Sequence, residues 1–343
     1  MVDFAGNARF RVQRELGRGG MGVVYEAYDA ERGQLVAVKP LRRLAPATLL
    51  RFKNEFRSLA DVVHPNLVLL YELVSDRDQW FFTMELIHGV DFLSHVRQVD
   101  SEAHTASQRN SPTVAYPKGT DRAEGAQALC PAVPDRDAST SDTVVGTLRS
   151  RDDFESGGSQ WVAPHAPHAP ADPALLRPTL VQLVRALMAL HDTGHLHRDV
   201  KPSNVMVTKE GRVVLLDFGV ITNLGDPAAA NKDLAGTPSH AAPEQALPGG
   251  RVSPASDWYS VGVLLYQALT GELPFVGRTF DNVGGWNHEP IPPIEHAPDA
   301  PRDLSRLCMS LLQVDAALRP TGKDILWQLE QRRSRVRRGQ LLL

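Results

Sequence analysis

The sequence predicts an α+β protein with two lobes, a small antiparallel strand-rich lobe followed by a larger, mainly helical one. Short apolar segments broken by glycine dominate residues 10–86, and only one segment there has helical spacing. From residue 175 onward, apolar side chains recur at three- and four-residue intervals, which is typical of helices packed on a core. A chain of 343 residues with 42% apolar content is large enough for two lobes around a cleft.

The first lobe is predicted to contain five strands and one helix. The helix, over residues 47–59, places Leu49, Phe52, Phe56 and Leu59 at helical spacing, so that one face turns inward. The strands have Val-, Tyr- and Leu-rich patterning and are separated by glycines and polar turns. They are predicted at residues 10–16, 22–27, 34–41, 67–73 and 80–86.

Residues 99–172 differ in composition from both lobes. They are rich in Ser, Thr, Pro, Ala and Asp and show no lasting apolar period, so they are predicted to be a disordered, low-complexity insert. Within the insert, residues 164–170 contain two histidines among Pro and Ala, a composition that favours a spacer over a metal site. The hydroxyl-rich residues 139–143 are a candidate target for autophosphorylation.

The second lobe is predicted to begin with a helix from residue 175, for which Gly194 offers a C-terminal cap. A strand pair over residues 205–207 and 213–216 follows, around a turn at Gly211. Ser253 and Pro254 provide an N-cap and a first-turn proline for a helix through residue 268. Two more helices are predicted at residues 304–312 and 324–331, followed by a basic tail at 332–343. The apolar stripe of the first helix contains Leu180, Leu183, Val184, Leu187 and Leu190.

Charge and cysteine content indicate the compartment and exclude some partners. The net charge of −3 gives no general affinity for nucleic acid or an anionic membrane. Cys130 and Cys308 are far apart in sequence and fit a reducing environment. No signal region stands at the N-terminus, and no apolar run approaches the roughly 20 residues of a membrane span. We therefore expect a cytoplasmic protein without a nucleic-acid partner.

Two short motifs in the second lobe carry the chemistry. The first, at residues 197–204, reads His-Arg-Asp-Val-Lys-Pro-Ser-Asn, and the second, at residues 217–219, reads Asp-Phe-Gly. In this order and spacing they predict a phosphoryl-transfer site, which needs positioning and charge stabilisation more than covalent chemistry. Asp199 can orient an attacking hydroxyl and accept its proton, and Lys201 can neutralise the transferred group. Asn204 and Asp217 can hold Mg²⁺ against nucleotide phosphates.

The phosphate-binding half of such a site is predicted in the first lobe. Residues 17–24 read Gly-Arg-Gly-Gly-Met-Gly-Val-Val between two strands, and glycines let a backbone approach phosphates closely. Because a strand follows the glycines where a dinucleotide-binding motif needs a helix, a lid over ATP is favoured. Lys39 ends an apolar strand and can reach the phosphates. Glu55, on the predicted helix, is its natural ion-pair partner.

Together these residues resemble the protein kinase superfamily, in particular the bacterial serine/threonine kinases of eukaryotic type. The resemblance covers residues 10–331 apart from the insert, with a hinge at about residues 85–91 between lobes at 10–86 and 92–331. Lys201, two residues after Asp199, and the run Gly236-Thr237-Pro238 before Ala-Pro-Glu are similar to the serine/threonine-directed subgroup. The resemblance implies that Thr237 contacts Asp199 and Lys201.

The resemblance also implies a set of binding and supporting positions. Met84 matches the gatekeeper at the back of the adenine pocket, the backbone of Glu85 and Ile87 matches the hinge that binds adenine, and Asp91 matches the ribose-binding acid. Glu244 with Arg319 matches a structural ion pair, and Asp257 matches the acid that holds the catalytic-loop backbone. The ATP site therefore comprises Leu16, Gly17, Arg18, Gly19, Gly20, Met21, Gly22, Val23, Val24, Lys39, Met84, Glu85, Ile87 and Asp91.

Four regions depart from the family pattern. Pro40 directly follows Lys39 and removes an N–H donor from the strand, which predicts that the strand ends or bulges there. Residues 223–236 contain no Ser, Thr or Tyr, so Asp226 or Asp233 is a candidate substitute for the usual activating phosphate near Arg198. Solvated loop acids are the alternative. Residues 239–242 and 276–293 lack the usual substrate-docking pattern.

Three functions are consistent with these observations. The leading prediction is an ATP- and Mg²⁺-dependent kinase, with Mn²⁺ as a second candidate cation, acting on protein serine and threonine in bacterial signalling and on itself. A nucleotide-binding pseudokinase and a small-molecule kinase are the alternatives. Filled catalytic positions speak against the first alternative, and the Thr237 and Ala-Pro-Glu segments speak against the second. Expected partners are protein substrates and further domains of a longer polypeptide; the oligomeric state is open.

Overall fold

The structure, a computed structural model, describes residues 4–19, 22–41, 46–76, 79–98, 171–216, 222–223, 237–247, 249–275 and 289–339. Within these residues, a five-stranded antiparallel sheet with one helix forms the smaller lobe, and helices dominate the larger lobe. The α+β, two-lobed fold predicted from the sequence is therefore confirmed. Most of the predicted insert, residues 99–170, lies outside the described residues.

The sheet of the smaller lobe has the strand order β1-β2-β3-β5-β4, with every neighbouring pair antiparallel. The helix α1, Pro46–Ala60, packs on one face of this sheet. The strands are β1 (Phe10–Gly19), β2 (Gly22–Asp29), β3 (Gln34–Pro40), β4 (Leu70–Asp76) and β5 (Gln79–Met84).

The start of β4 corrects the sequence prediction, which placed this strand at residues 67–73. Leu67 forms a parallel bridge to Leu215 of the larger lobe, and the amide of Val68 donates to the Leu215 carbonyl. The apolar run is therefore shared between the two lobes, and only its second part joins the sheet. The physical reason is tertiary, because local patterning does not distinguish the two sets of hydrogen-bond partners.

Each face of the small sheet carries its own apolar cluster, because side chains alternate along a strand. On the inner face, Phe82 and Met84 of β5 pack with Phe56 of α1. On the outer face, Phe81 packs against Phe4, whose ring centroid is 4.7 Å away. Residues before the first strand thus cover the outer face, a role that the sequence patterning did not indicate.

The larger lobe contains seven helices and five short strands among the described residues. The strands form two small sheets: β6, β8 and β9 form one in that order, and β10 pairs with β7 in the other. The strands are β6 (Gly89–Asp91), β7 (His195–Leu196), β8 (Val205–Thr208), β9 (Val213–Leu215) and β10 (Thr222–Asn223). The helices are α2 (Phe92–Arg97), α3 (Pro173–Asp192), α4 (Pro243–Ala246), α5 (Pro254–Thr270), α6 (Pro293–His296), α7 (Arg302–Leu311) and α8 (Gly322–Gly339).

Helices α3 and α5 form the core of the larger lobe. Helix α3 ends before Gly194, whose φ of +80° is a left-handed conformation that glycine adopts readily, and α5 begins at the predicted cap Ser253. By length and composition, α3 is the one described helix that fits a membrane span, contrary to the expectation that no such run exists. Its leucines, however, are buried against the other helices of the lobe, as in a core helix of a soluble domain.

The last helix is longer than the sequence predicted. Helix α8 runs to Gly339 instead of ending at residue 331, so the first part of the predicted basic tail is helical. Its buried residues Ile325 and Leu329 lie one turn apart and face the core. The arginines beyond residue 331 are good helix formers, and the helix continues through them.

Candidate active site

The loop after β7 carries Asp199 and is held by a buried carboxylate. Asp257, in the first turn of α5, accepts hydrogen bonds from the amides of His197, at 2.9 Å, and Arg198, at 2.7 Å. Burial works to raise the pKa of Asp257, but the interactions with His191 and His197 together lower it. The supporting role expected of Asp257 is therefore confirmed, and His191 is a partner that the sequence did not indicate.

The backbone of this loop is strained at one point. Arg198 has a φ of +64°, a left-handed conformation that costs a residue other than glycine about 1–3 kcal/mol. The two amide bonds to Asp257 and a third bond, from Gln245 Nε2 to the Arg198 carbonyl at 3.1 Å, hold the residue in place. A strained residue whose backbone is held by hydrogen bonds on both sides is typical of a loop that must present a side chain in one orientation.

The carboxylate of Asp199 is fully buried and accepts four hydrogen bonds. Its Oδ1 accepts from the amide and the hydroxyl of Thr237, both at 2.8 Å. Its Oδ2 accepts from Lys201 Nζ at 2.7 Å and Asn204 Nδ2 at 3.0 Å. Burial works to raise the pKa of Asp199, but Lys201 and Thr237 together lower it. The group is therefore ionised at neutral pH, and the contacts implied for Thr237 are present.

Asn204 is oriented so that one oxygen remains for a cation. Its side-chain nitrogen donates to both the Asp199 carbonyl, at 2.8 Å, and the Asp199 carboxylate, whereas its Oδ1 accepts no hydrogen bond among the described residues. The backbone amide of Leu216 donates to the Asn204 carbonyl at 2.8 Å, which fixes the chain immediately before Asp217. Asp217 itself, with Phe218 and Gly219, lies outside the described residues.

The glycine-rich segment joins β1 and β2 as an antiparallel pair, with Gly17 opposite Val24 and Gly19 opposite Gly22. A strand follows the glycines, as expected, and a lid over ATP stays a prediction. Gly20 and Met21 lie outside the described residues. Val24 belongs to the inner cluster, with Ala37, Met84, Ile87 and Leu216, where an adenine ring would sit.

Other residues of this segment point elsewhere. Val23 packs into the outer cluster, so its side chain faces away from the cleft. Arg18 is paired with Glu15 at 2.9 Å, and Leu16 is partly exposed. Among the described lid residues, Val24 is therefore the one whose side chain packs in the inner cluster with Met84 and Ile87. The contribution of Arg18 and Val23 to ATP binding stays a prediction.

Lys39 is buried near the end of β3, opposite Phe82. Pro40 is the last residue of the strand and still pairs with Phe81, so the strand ends at the proline as expected and Lys39 keeps its place in the ladder. Glu55 lies on α1. Burial lowers the pKa of Arg198, and the charges of Asp257 and Glu55 partly oppose this effect. The ion pair between Lys39 and Glu55 stays a prediction.

The hinge offers backbone groups to a base. The amide of Glu85 donates to the Leu69 carbonyl at 2.8 Å, while within the described residues neither the Glu85 carbonyl nor the Ile87 amide is engaged. Met84 is buried beside them in the inner cluster. Asp91 caps α2, accepting from the amides of Leu93 and Ser94 and from the Ser94 hydroxyl, so its binding to a ribose stays a prediction.

Known proteins are similar to this chain in sequence. The family profile described as "Protein kinase domain" matches residues 10–114 and 160–329, which is more than half of the chain. This chain belongs to the protein kinase family. The kinase is 32% identical over 329 residues to serine/threonine-protein kinase pkn2 of Myxococcus xanthus, covering 92% of this chain and 31% of that protein.

Two further relatives give the same picture. Serine/threonine-protein kinase PknA of Mycobacterium tuberculosis is 29% identical over 322 residues, covering 91% of this chain and 58% of the relative. Serine/threonine-protein kinase PknD of Chlamydia felis is 29% identical over 350 residues, covering 94% of this chain and 31% of the relative. The kinase thus spans between about a third and three fifths of the length of these relatives.

The segment after Thr237 is anchored to the larger lobe of the kinase by a buried ion pair. Arg319 donates to both oxygens of Glu244, at 2.7 and 2.9 Å, and its side chain is fully buried. The hydroxyl of Ser256 donates to the same carboxylate at 2.7 Å. The structural pair implied by the resemblance is confirmed. Most of the second altered docking region, residues 276–288, lies outside the described residues.

The environment of Arg198 has a feature that bears on activation. Its guanidinium is buried, and among the described residues its Nε has no hydrogen-bond partner. A buried cation with an unused donor favours an anionic neighbour. The proposed substitutes Asp226 and Asp233 lie outside the described residues, so that hypothesis stays a prediction.

A hydrogen bond that the sequence did not predict connects α1 to β7, the strand before the catalytic loop. Ser58 Oγ lies 2.7 Å from His195 Nε2, and Thr193 Oγ1 lies 3.1 Å from His195 Nδ1. Because the Thr193 hydroxyl donates its one proton to the Leu190 carbonyl, it must accept from Nδ1. A neutral His195 therefore carries its proton on Nδ1, and Nε2 accepts from Ser58. Burial lowers the pKa of His195, which favours this neutral form.

Ser58→Ala is expected to destabilise the kinase by about 1–3 kcal/mol, because it leaves His195 Nε2 buried without a donor. Urea unfolding checks the loss. Ser310→Ala is the matched control, since the Ser310 hydroxyl bonds only to a carbonyl of its own helix. We expect the control to stay within about 0.5 kcal/mol of the wild type. Equal stability of the Ser58 and Ser310 variants would contradict the tether.

Proposed function

We propose that this kinase transfers the γ-phosphoryl group of ATP to serine and threonine hydroxyls of proteins. The observation that carries the proposal is the contact of Thr237 and Lys201 with the same Asp199 carboxylate. This contact connects the Asp199 carboxylate to the segment that leads to Glu244, which is itself held by Arg319. The relatives named above are serine/threonine-protein kinases, which supports the same acceptor class.

The bonding of Asp199 indicates how the acceptor is handled. A carboxylate has about four acceptor sites, and all four are in use. An incoming hydroxyl must therefore replace one donor. Thr237 Oγ1 is the natural one to yield, because a hydroxyl rotates freely and keeps the hydrogen bond that it accepts from Lys201 Nζ at 2.8 Å. Asp199 then orients the hydroxyl and takes up its proton as the new O–P bond forms.

The low pKa of Asp199 fits this role in positioning. Four donors make the carboxylate a weak base, and phosphoryl transfer asks for alignment of the nucleophile more than for early removal of its proton. Lys201 offers positive charge beside the position of the transferred group. Its ammonium group is held 2.7 Å from the Asp199 carboxylate, which fixes where this charge lies.

The residues present fit ATP and a divalent cation. The backbone of Glu85 and Ile87 is open to adenine, Val24 and Met84 give apolar walls, and Asn204 Oδ1 is a hard oxygen ligand. When bound, ATP and its cation supply the phosphoryl group and neutralise its charge. We propose Mg²⁺ for Asn204 and Asp217, since few protein oxygens and phosphates suffice for it, with Mn²⁺ as the alternative.

Chelation of the cation and substitution of Lys39 test whether the chain transfers phosphate or only binds nucleotide. Transfer of label from ATP to a protein substrate is expected with Mg²⁺, and we expect it to fall to background with EDTA and in Lys39→Met and Asp217→Asn. Fluorescent ADP binding is measured in parallel. Binding without transfer in the wild type would favour a pseudokinase, and transfer unaffected by EDTA would contradict the proposed metal site.

Four broader assignments belong to the same proposal. We propose protein substrates in bacterial signalling, autophosphorylation within residues 139–143, and further domains in the full protein, in keeping with the greater length of the relatives. We also propose that this domain works in the cytoplasm. Cys308 is a buried free thiol, and ATP is abundant in that compartment. Mass spectrometry of the kinase after incubation with ATP tests the autophosphorylation sites.

A further inference from the structure

Arg212 joins the hinge to the larger lobe. It stands between β8 and β9, and its guanidinium donates to both oxygens of Glu85, at 2.6 and 3.0 Å. Its Nε donates to the Pro65 carbonyl at 2.7 Å. A planar guanidinium with three bonds in fixed directions sets the position of its partners more strictly than a flexible ammonium does.

The position of Arg212 is itself fixed. Its carbonyl accepts from the Thr208 amide at 2.9 Å, and its amide donates to the Thr208 hydroxyl, so the residue sits in a closed turn. The neighbouring residue Val213 is bound through Gln182 of α3 to Asn66, at 3.1 and 2.9 Å. The anchor of the hinge is therefore a rigid part of the larger lobe.

Glu85 is held on two sides. Its side chain is clamped by Arg212, and its amide donates to the Leu69 carbonyl beside β4. Within the described residues, the Glu85 carbonyl accepts no hydrogen bond, and this is the group that would bind a base. Clamping the side chain of Glu85 therefore limits where this carbonyl and the nearby Ile87 amide can lie.

The exposure of the pair indicates a role in positioning. The side chains of Arg212 and Glu85 are 38% and 23% exposed. An ion pair with this access to water contributes little to the stability of a fold. We therefore expect the ion pair to affect the alignment of the hinge backbone with a bound base, since misplacing a bound group by about 1 Å is enough to weaken a site strongly.

We propose that Arg212 is a positioning residue for nucleotide binding, which clamps the first hinge residue to the larger lobe and thereby aligns the Glu85 and Ile87 backbone for the adenine base. The inference rests on the proposed ATP site. It deepens that proposal by assigning part of the affinity for the base to a side chain that touches no part of the nucleotide.

The test compares Arg212→Ala with Arg185→Ala. Arg185 forms an ion pair with Glu330 at 2.9 Å, with 54% and 43% exposure, between α3 and α8 and away from the hinge. For Arg212→Ala we expect the KM for ATP and the Kd for ADP to rise about fivefold to tenfold, with kcat and the melting temperature near the wild type. Arg185→Ala is expected to change none of these quantities.

A charge exchange gives the second arm. Glu85→Arg combined with Arg212→Glu restores an ion pair, and we expect it to recover at least half of the affinity lost in Arg212→Ala. An unchanged KM and Kd in Arg212→Ala, or a fall in kcat alone, would overturn the inference. If the wild type binds ADP but transfers no phosphate, the proposed function fails while the ADP comparison still tests the clamp.

Discussion

Asp199→Asn is expected to lower kcat for phosphoryl transfer by about 10²–10⁴-fold. The carboxylate accepts four hydrogen bonds, and an amide replaces one acceptor oxygen with an NH₂ donor. That donor must face either Thr237 or the pair Lys201 and Asn204, which are themselves donors. The substitution therefore removes the proton acceptor and disturbs the group that anchors Thr237, so both alignment and proton uptake are lost.

Nucleotide affinity separates this effect from unfolding. Among the described residues, the hydrogen bonds of Asp199 go to Lys201, Asn204 and Thr237 and to none of the hinge or the lid, so the Kd for ADP in Asp199→Asn should stay within about twofold of the wild type. Asp192→Asn is the matched control, because Asp192 is exposed at the end of α3. We expect this control to keep full activity. An Asp199→Asn protein with wild-type kcat would rule out the assigned role.

Arg319→Ala is expected to destabilise the kinase by about 3–5 kcal/mol. The side chain is fully buried and binds both oxygens of Glu244 and the carbonyls of Ala255, Gln313 and Val314. Truncation leaves the largely buried Glu244 carboxylate with the Ser256 hydroxyl as its described donor and removes the donor of three carbonyls. Since folded proteins are stable by about 5–15 kcal/mol, this one change removes a large share of the total.

Urea unfolding at constant pH measures the loss. Arg302→Ala provides the control, because Arg302 is exposed at the start of α7, and its change should lie within about 0.5 kcal/mol. Before the protein unfolds globally, we expect peptide phosphorylation to fall sooner than ADP binding, since Glu244 anchors the segment that carries Thr237. A loss below about 1 kcal/mol would contradict the structural role of the pair.

Most of the site could be predicted because its residues stand in short motifs. Asp199, Lys201 and Asn204 lie within six positions, and local spacing alone places them on one loop. The contact of Thr237 with Asp199 spans 38 positions and was reached through the family resemblance. Amphipathic spacing gave α1 and its inward face correctly, because one apolar stripe has only one way to bury itself.

The remaining features depend on pairings that local patterning does not encode. Glu85 and Arg212 are 127 positions apart, and each reads in the sequence as an ordinary surface charge. The start of β4 shifted because Leu67 and Val68 bond to Leu215, a competing partner from the other lobe. Similarly, the hydrogen bond between His195 and Ser58 forms because the fold brings α1 against β7. Tertiary contacts decided each of these cases.

The most direct test of the central claim is phosphoamino-acid analysis of a protein substrate after incubation with the kinase, γ-labelled ATP and Mg²⁺. We predict label on serine, threonine or both, and none above background with Asp199→Asn. Label confined to tyrosine, label on small molecules only, or equal label with the wild type and Asp199→Asn would contradict the assignment of this chain as a protein serine/threonine kinase that acts through Asp199.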